Sequence, residues 1–254
     1  MKYSNQVEKL IEVYTCLQGE GKYAGVPHIL IRTTSCNLNC KFAESMCDTA
    51  YASWFPEKGS LSLNDIEKLV LKNPQIKHAF ITGGEPTVHP ELLQNLVSLL
   101  KEHDYFVAIE SNGTNFADIS GLDFVTMSPK LSNSVPKAGD LVTDLTTNTI
   151  RTITQREQDK HEGNRKNYDN TKKMMERYDY QLKFVVSTED QLQEIKELQQ
   201  LLNAPNNKIY LMPEGVTAEQ LQHKRQWLME LCVKEGYYYS DRLQIIAYGL
   251  KRGF

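Results

Sequence analysis

The sequence lacks any run approaching the roughly 18 consecutive apolar residues that a membrane-spanning helix requires. Its first residues, Met-Lys-Tyr-Ser-Asn-Gln-Val-Glu-Lys, hold no apolar stretch of the kind that directs secretion. A cytoplasmic protein with no membrane partner is therefore expected. A basic excess is also missing: the formal net charge is −3, which leaves no electrostatic footprint for direct nucleic-acid binding. No internal repeat or low-complexity tract is present, so a repeat array is excluded. Cysteine is scarce, with five in 254 residues, too few for a disulfide framework. In a reducing compartment such cysteines are metal ligands, catalytic groups or buried side chains.

Three of those five, Cys36, Cys40 and Cys47, crowd into the segment Ser35-Cys-Asn-Leu-Asn-Cys-Lys-Phe-Ala-Glu-Ser-Met-Cys-Asp-Thr49. Disulfide pairing would leave one over. Clustered thiolates suit soft iron and are the usual ligands of iron–sulfur clusters. A four-iron cluster held by three cysteines leaves one iron open to a further ligand, and chemistry can happen there. Zinc is the first rival, but a closed zinc site wants four ligands, and only Cys16 or a distant histidine could complete it. Small buried cysteines in a loop are a weaker alternative, because loops are usually exposed.

The length and the 40% hydrophobic content suit a single α/β domain over residues 1–254. Apolar runs predict strands at Ile29–Arg32, His78–Thr82, Phe106–Glu110, Phe124–Ser128, Gln181–Val186, Lys208–Met212 and Leu243–Ala247. Helical spacing covers Leu63–Leu71, with Ser62 or Asn64 as cap, and also Pro90–Glu102, Asp190–Leu202 and Trp227–Lys234. Alternating strands and helices imply a mostly parallel sheet with its site at the carboxyl ends of the strands. The suspicious motifs fall just after strands, as that rule requires. One stretch breaks the rhythm. Residues 148–180 are highly polar and read as a solvated helical excursion or insertion, a candidate for docking a partner or second subunit.

Gly83-Gly84-Glu85-Pro86 follows one of these strands. Two glycines allow close backbone approach to a ligand, the carboxylate can hold an ammonium group, and proline stiffens the exit. Taken alone, a tight strand-to-helix turn explains the four residues equally well.

Together with the cysteine loop, these residues resemble the radical S-adenosylmethionine (SAM) enzymes. The resemblance implies a full or partial (β/α) barrel, a 4Fe-4S cluster on three cysteines, and SAM chelating the fourth iron. Cleavage of SAM then supplies a 5′-deoxyadenosyl radical. Glu12-Val-Tyr-Thr-Cys-Leu-Gln-Gly-Glu-Gly21, Arg32, Cys47-Asp-Thr49, Thr82-Gly-Gly-Glu-Pro86, Glu110-Ser-Asn-Gly-Thr114, Ser128-Pro-Lys130, Tyr210-Leu-Met-Pro-Glu-Gly215 and Arg242-Leu-Gln-Ile-Ile-Ala-Tyr-Gly249 narrow it. They resemble the 7-carboxy-7-deazaguanine synthase family over most of the chain, broken mainly by residues 148–180.

That family converts 6-carboxy-5,6,7,8-tetrahydropterin to 7-carboxy-7-deazaguanine with loss of ammonia, in 7-deazapurine (queuosine-type) biosynthesis. The resemblance implies that Cys36, Cys40 and Cys47 hold the cluster. Gly84, Glu85, Ser128, Pro129 and Lys130, with Met212 and Pro213, line the SAM site. Leu17, Gln18, Gly19, Arg32 and Thr82 contact the pterin, Thr49 binds Mg²⁺, and the terminal carboxylate at Phe254 reaches the substrate or metal. It further implies an electron donor such as flavodoxin or ferredoxin, and a homodimer. Each residue has a plainer alternative: an ion pair for Arg32, a helix cap for Thr49, an exposed lysine for Lys130, a frayed tail for Phe254.

The sequence departs from the superfamily pattern in the cluster loop. Six residues, not two, separate Cys40 from Cys47, as if Ala-Glu-Ser-Met had been inserted after Phe42. Phe42 or Met46 then stands in for the aromatic that precedes the third cysteine. Cys16 is expected to be non-ligating, and Cys232 to lie in the core. The competing readings are another radical SAM enzyme, such as an activase or peptide-modifying enzyme, and a non-catalytic interaction protein with structural zinc.

Overall fold

The computed structural model describes residues 3–43, 45–144 and 147–253. Strands β1 (Leu10–Leu17) and β2 (Pro27–Thr33) lead through the cysteine loop to helix α1 (Leu63–Lys72) and strand β3 (His78–Gly83). Helix α2 (Pro90–Glu102) and strands β4 (Phe106–Ser111) and β5 (Phe124–Met127) follow. A small hairpin, β6 (Leu141–Thr143) and β7 (Ile150–Thr152), precedes helices α3 (Gln155–Arg165) and α4 (Tyr168–Arg177). The chain closes with β8 (Asp179–Val186), α5 (Leu192–Leu202), β9 (Ile209–Pro213), α6 (Ala218–Glu235), β10 (Tyr238–Tyr239) and α7 (Leu243–Tyr248).

Eight strands form one sheet in the order β1-β2-β3-β4-β5-β8-β9-β10. Within this sheet only β1 runs antiparallel to its neighbour; β2, β3, β4, β5, β8, β9 and β10 are parallel. The sheet is a partial barrel, open between β1 and β10, as expected for the radical SAM type. Strand periodicity gives its two faces opposite chemistry. Ile29, Ile31, Ile81, Ile109, Val125, Leu182, Phe184 and Leu211 point outward into the main core, where Leu92, Leu93, Leu96, Val97, Leu99 and Leu100 of α2 meet it. Many of the alternate positions that turn inward are polar: His28, Arg32, Thr82, Glu110, Thr126, Gln181 and Lys183. Tyr23 stacks edge-on against Phe124, 5.1 Å between centroids, and with Phe80 and Phe106 plugs the amino end of the barrel.

Ser62 caps α1 through a reciprocal box with Asp65, while Asn64 lies inside the helix and bonds Asn5. The helix expected at 227–234 is the second half of the longer α6, whose first half is masked in the sequence by Gln, His, Lys and Arg. One expectation is overturned. Leu243–Ala247 is not a strand but the start of α7. The two residues of β10 are the last strand of the sheet, and Ser240 N–H bonds the Leu211 carbonyl beyond them. Leu243 N–H then bonds the Gly19 carbonyl and turns the chain across the barrel mouth. The paired isoleucines suggested a strand, yet only Ile245 is buried. The β6–β7 hairpin was not foreseen either. It packs Val142 and Ile153 on Trp54, beneath the cysteine loop.

Residues 148–180 hold β7, α3 and α4, and they pack inward more than their composition suggests. His161, Arg165, Thr171, Met174 and Tyr178 are all buried. No helix among the described residues is long and apolar enough to cross a membrane.

The Gly83-Gly84 pair serves the fold before any ligand. A methyl on Gly84 would overlap the backbone carbonyls of Ser35 and Ala52, and one on Gly83 would overlap Thr33. Gly84→Ala is expected to lower stability by about 1–3 kcal/mol through overpacking and to reduce iron retained per chain. Gly163→Ala, on α3 with open space around it, should stabilise by about 0.5–1 kcal/mol. Thermal melts and iron analysis of both variants check the pair.

Candidate active site

The cysteine loop leaves β2 at Thr33 and is seated on the turn that leaves β3. Gly84 N–H bonds the Thr33 carbonyl at 3.3 Å, and Glu85 N–H bonds the Ser35 carbonyl at 2.9 Å. Ser35 adopts a left-handed φ of 74°, which swings Cys36 back over the barrel mouth. The long Cys40–Cys47 gap is absorbed by a tight reversal. Lys41 and Met46 pair as an antiparallel bridge, Phe42 N–H bonds the Ser45 carbonyl at 2.7 Å, and Cys47 N–H bonds the Cys40 carbonyl at 3.2 Å. Lys41, Phe42, Ser45 and Met46 therefore form the sides of a finger, and the third cysteine returns beside the second. Ser45 ties that finger to Glu214 after β9, and Trp54 donates its indole N–H to the Cys40 carbonyl at 2.8 Å.

A cavity of about 240 Å³ opens at the carboxyl end of the strands. All three cysteines line it, with Leu17, Gln18, Gly19, Arg32, Thr49, Thr82, Gly84, Ser128, Lys130 and Met212. Phe42 and Met46 both line it too, so each can act as the residue that packs beside the third cysteine. Glu85, Pro129 and Pro213 are placed differently: they are buried and stand behind the wall. Glu85 is 0% exposed, with Oε1 accepting from Thr87 N–H and Oγ1–H and Oε2 from Asn112 N–H. Burial raises its carboxyl pKa, against the pull of these bonds. Its side chain braces two loops; the cavity wall there is the glycine backbone. Phe254 lies outside the described residues, but the preceding tail is anchored. Arg252 pairs bidentately with Glu57, reaches Glu12, and lies 3.7 Å over the Tyr51 ring.

Arg32 keeps both of its readings. Its Nε bonds Glu12 at 2.5 Å while the side chain also lines the cavity. Thr49 makes no capping bond to the turn that follows it, and its hydroxyl sits 3.3 Å from the Cys47 sulfur. Lys130 Nζ donates to Ser128 Oγ at 2.7 Å. Cys232 lies in the core, as expected. Cys16 lies in the cavity wall, 3.5 Å from His28 Nε2. Burial pushes its thiol up to about 12.

A chain of alternating charges went unassigned in the sequence. Asp48, next to Cys47, pairs with Arg242; Arg242 pairs with Glu20; Glu20 pairs with Lys183; and Lys183 pairs with Glu110. Lys183 is 1% exposed, deep in the barrel. Burial works against the Glu20 carboxylate, yet Lys183 and Arg242 hold its pKa at about 2. Gln244 also donates to Glu20 at 2.6 Å, over Gly19, where a Cβ would overlap the Gln244 side chain. The signal was available: Glu20, Asp48, Glu110 and Arg242 all sit within quoted motifs, but Lys183 looked like an ordinary strand lysine.

Burial pushes the Cys36 thiol well above its ordinary range and Cys40 up to about 12. Binding iron would therefore release protons from this loop. Among the described residues no three His, Cys, Asp or Glu side chains converge on one ion position. A four-iron cube is gripped at three separate corners, and three thiols around one cavity fit that demand.

A partial parallel barrel that carries three cavity-facing cysteines after its first parallel strand is the architecture of the radical SAM superfamily. The model of that superfamily matches residues 30–132. Comparison over the full chain is narrower. The chain is 35% identical over 243 residues to the 7-carboxy-7-deazaguanine synthase of Rhodopirellula baltica, covering 95% of this chain and 87% of that one. It is 33% identical over 246 residues to the enzyme of the same name from Halobacterium salinarum, covering 92% and 88%. This chain belongs to the 7-carboxy-7-deazaguanine synthase family, and with it come a 4Fe-4S cluster and SAM as cofactors. The crystal structure of QueE from Escherichia coli shares the fold, with a TM-score of 0.60 at 23% identity over 92% of this chain and 93% of that one.

His28, 3% exposed, gives a pH dependence that can be measured. Burial lowers its pKa from 6.5 to about 4, against the bond to the Val26 carbonyl. The unfolded chain therefore takes up a proton near pH 6.5 that the folded chain refuses until about pH 4. Its contribution to stability is lost as pH falls through that window. His28→Phe should flatten that part of the profile in denaturant unfolding, and an unchanged slope would contradict it.

Proposed function

We propose that the protein converts 6-carboxy-5,6,7,8-tetrahydropterin to 7-carboxy-7-deazaguanine with release of ammonia. The observation that carries this reading is a convergence. The Leu17-Gln18-Gly19-Glu20 turn from the antiparallel edge and the three cysteines from the next loop line one cavity. A small planar substrate held by that turn would lie within the same space as the cofactors.

Cys36, Cys40 and Cys47 would hold the cluster, and the Gly84 backbone, Ser128, Lys130 and Met212 would line the SAM site. Glu85, Pro129 and Pro213 would shape it from behind. When bound, the cluster and SAM supply radical hydrogen abstraction. The chain's own residues bind, orient and shield. Arg32 offers a planar fork to a substrate carboxylate, held at the right angle by its Nε bond to Glu12. Gln18 and Thr82 present donor and acceptor groups to a heterocycle edge, and Leu17 covers it. The Lys183–Glu20–Arg242 chain fixes the cavity floor before substrate arrives, so no reorientation is needed on binding.

The Thr49 hydroxyl would take one position on Mg²⁺, with substrate and water oxygens filling others, in keeping with a cation that demands hard oxygen ligands. A one-electron donor such as flavodoxin or ferredoxin would supply the reductant, and the working unit would be a homodimer.

The test is anaerobic turnover of reduced, iron-loaded protein with SAM, Mg²⁺ and the pterin, read by mass spectrometry. Formation of 7-carboxy-7-deazaguanine is expected, and its loss in Cys47→Ala ties it to the loop. SAM cleavage without product would overturn the substrate assignment. Thr49→Ala should lower kcat/KM at least about tenfold and abolish the response to Mg²⁺, with iron content unchanged. A variant that still responds to Mg²⁺ would remove Thr49 from the metal site.

A further inference from the structure

Helix α3 has no apolar face. Its only buried residues are His161 and Arg165. It is nevertheless held firmly against the cysteine loop by polar contacts. Asn164 donates to the Asn37 carbonyl at 3.1 Å, and Arg165 donates to the Lys130 carbonyl at 3.2 Å while pairing with Glu162 and Glu194. These contacts turn one imidazole inward. His161 is 2% exposed, and its Nε2 lies 3.5 Å from the Cys40 sulfur. Its other nitrogen, Nδ1, is buried without a hydrogen-bond partner. A buried unpaired acceptor costs about 1–3 kcal/mol. An apolar side chain would fill the same space without that cost, so packing alone does not explain the histidine.

A neutral imidazole carries a single N–H. Against a free thiol, either partner could donate. Against an iron-bound thiolate, sulfur can only accept, so the hydrogen must sit on Nε2 and the lone pair on the orphaned Nδ1. We propose that His161 is a positioning residue for the cluster, donating an Nε2–H hydrogen bond to the Cys40 sulfur and raising the reduction potential of the cluster. The inference rests on the reading of Cys36, Cys40 and Cys47 as cluster ligands. The physical basis is electrostatic. The positive end of an N–H dipole stabilises the reduced cluster, which carries the extra electron, more than the oxidised one. The polar stretch at 148–180 then acts as a clamp over the cluster loop, and its polarity serves that contact.

The experiment compares iron-loaded wild type, His161→Phe and His161→Gln in an EPR-monitored redox titration without SAM or substrate. His161→Phe keeps the bulk and burial but removes the donor, and should titrate at a lower potential. His161→Gln restores an N–H and should move back toward wild type. Three coincident titrations would overturn the proposal. Should His161→Phe fail to hold iron, the wild-type enzyme carries the test. Reduced protein grown with ¹⁵N-histidine should show a weak nitrogen coupling in pulsed EPR that is absent from His161→Gln, and its absence from wild type would overturn the hydrogen bond. Wild-type protein that binds no iron would overturn the cluster reading and this inference together, whereas coincident titrations of loaded proteins would leave the cluster reading standing.

Discussion

The seat of the cysteine loop on the Gly83-Gly84-Glu85 turn is the constraint from which the rest follows. Two backbone hydrogen bonds join the loops, and the space they need is the space a Cβ at either glycine would fill. Neither glycine is demanded by a left-handed backbone; that conformation falls to Ser35 on the opposite loop. The glycines are demanded by proximity. Once the loops touch, Cys36 is carried over the barrel mouth. The Lys41–Met46 bridge and the bond from Cys47 N–H to the Cys40 carbonyl then bring the third cysteine back beside the second.

The inner face of the barrel is organised by a second constraint. Lys183 is a cation with almost no access to water, and an unpaired buried charge would be costly. Glu20 and Glu110 flank it from opposite directions, and Arg242 and Asp48 extend the alternation to the cysteine loop. The chain links β1's turn, β4, β8, the start of α7 and the residue after Cys47. It joins the Leu17–Glu20 turn to the cysteine loop across the cavity. Glu20, held in this way by Lys183 and Arg242, stays ionised. The α7 segment owes its helical course to the same network, because Arg242 anchors the chain where the sheet has run out.

Much of this was legible in the sequence because it rests on local rules. The outward faces of β2, β3, β4, β5, β8 and β9 read as apolar runs, and Pro90–Glu102 carried its apolar spacing and its proline start without ambiguity. The cysteine loop and the Gly-Gly-Glu-Pro turn were visible as composition and spacing. What was hidden depends on contacts distant in sequence. Glu85 reads as a ligand carboxylate, and only the approach of Asn112 and Thr87 shows that its oxygens also hold two loops together. Lys183 could not be told from a surface lysine until β8 was placed inside the barrel. Leu243–Ala247 has the residues of a strand, and only the contacts of Arg242 and Leu243 with Glu20 and Gly19 show the chain turning across the barrel mouth as a helix. His161 was hidden by polar neighbours, since a helix with no apolar stripe gives no sign of which side faces in.

The central claim is that the three thiols around this cavity grip a cluster with one iron left open to SAM. Mössbauer spectroscopy of ⁵⁷Fe-loaded protein, before and after SAM, tests it most directly. The account predicts a 4Fe-4S spectrum in which a single iron changes its parameters when SAM binds, because the other irons keep their cysteine ligands. A spectrum in which every iron is indifferent to SAM, or a protein that takes up one zinc in place of iron, would contradict it.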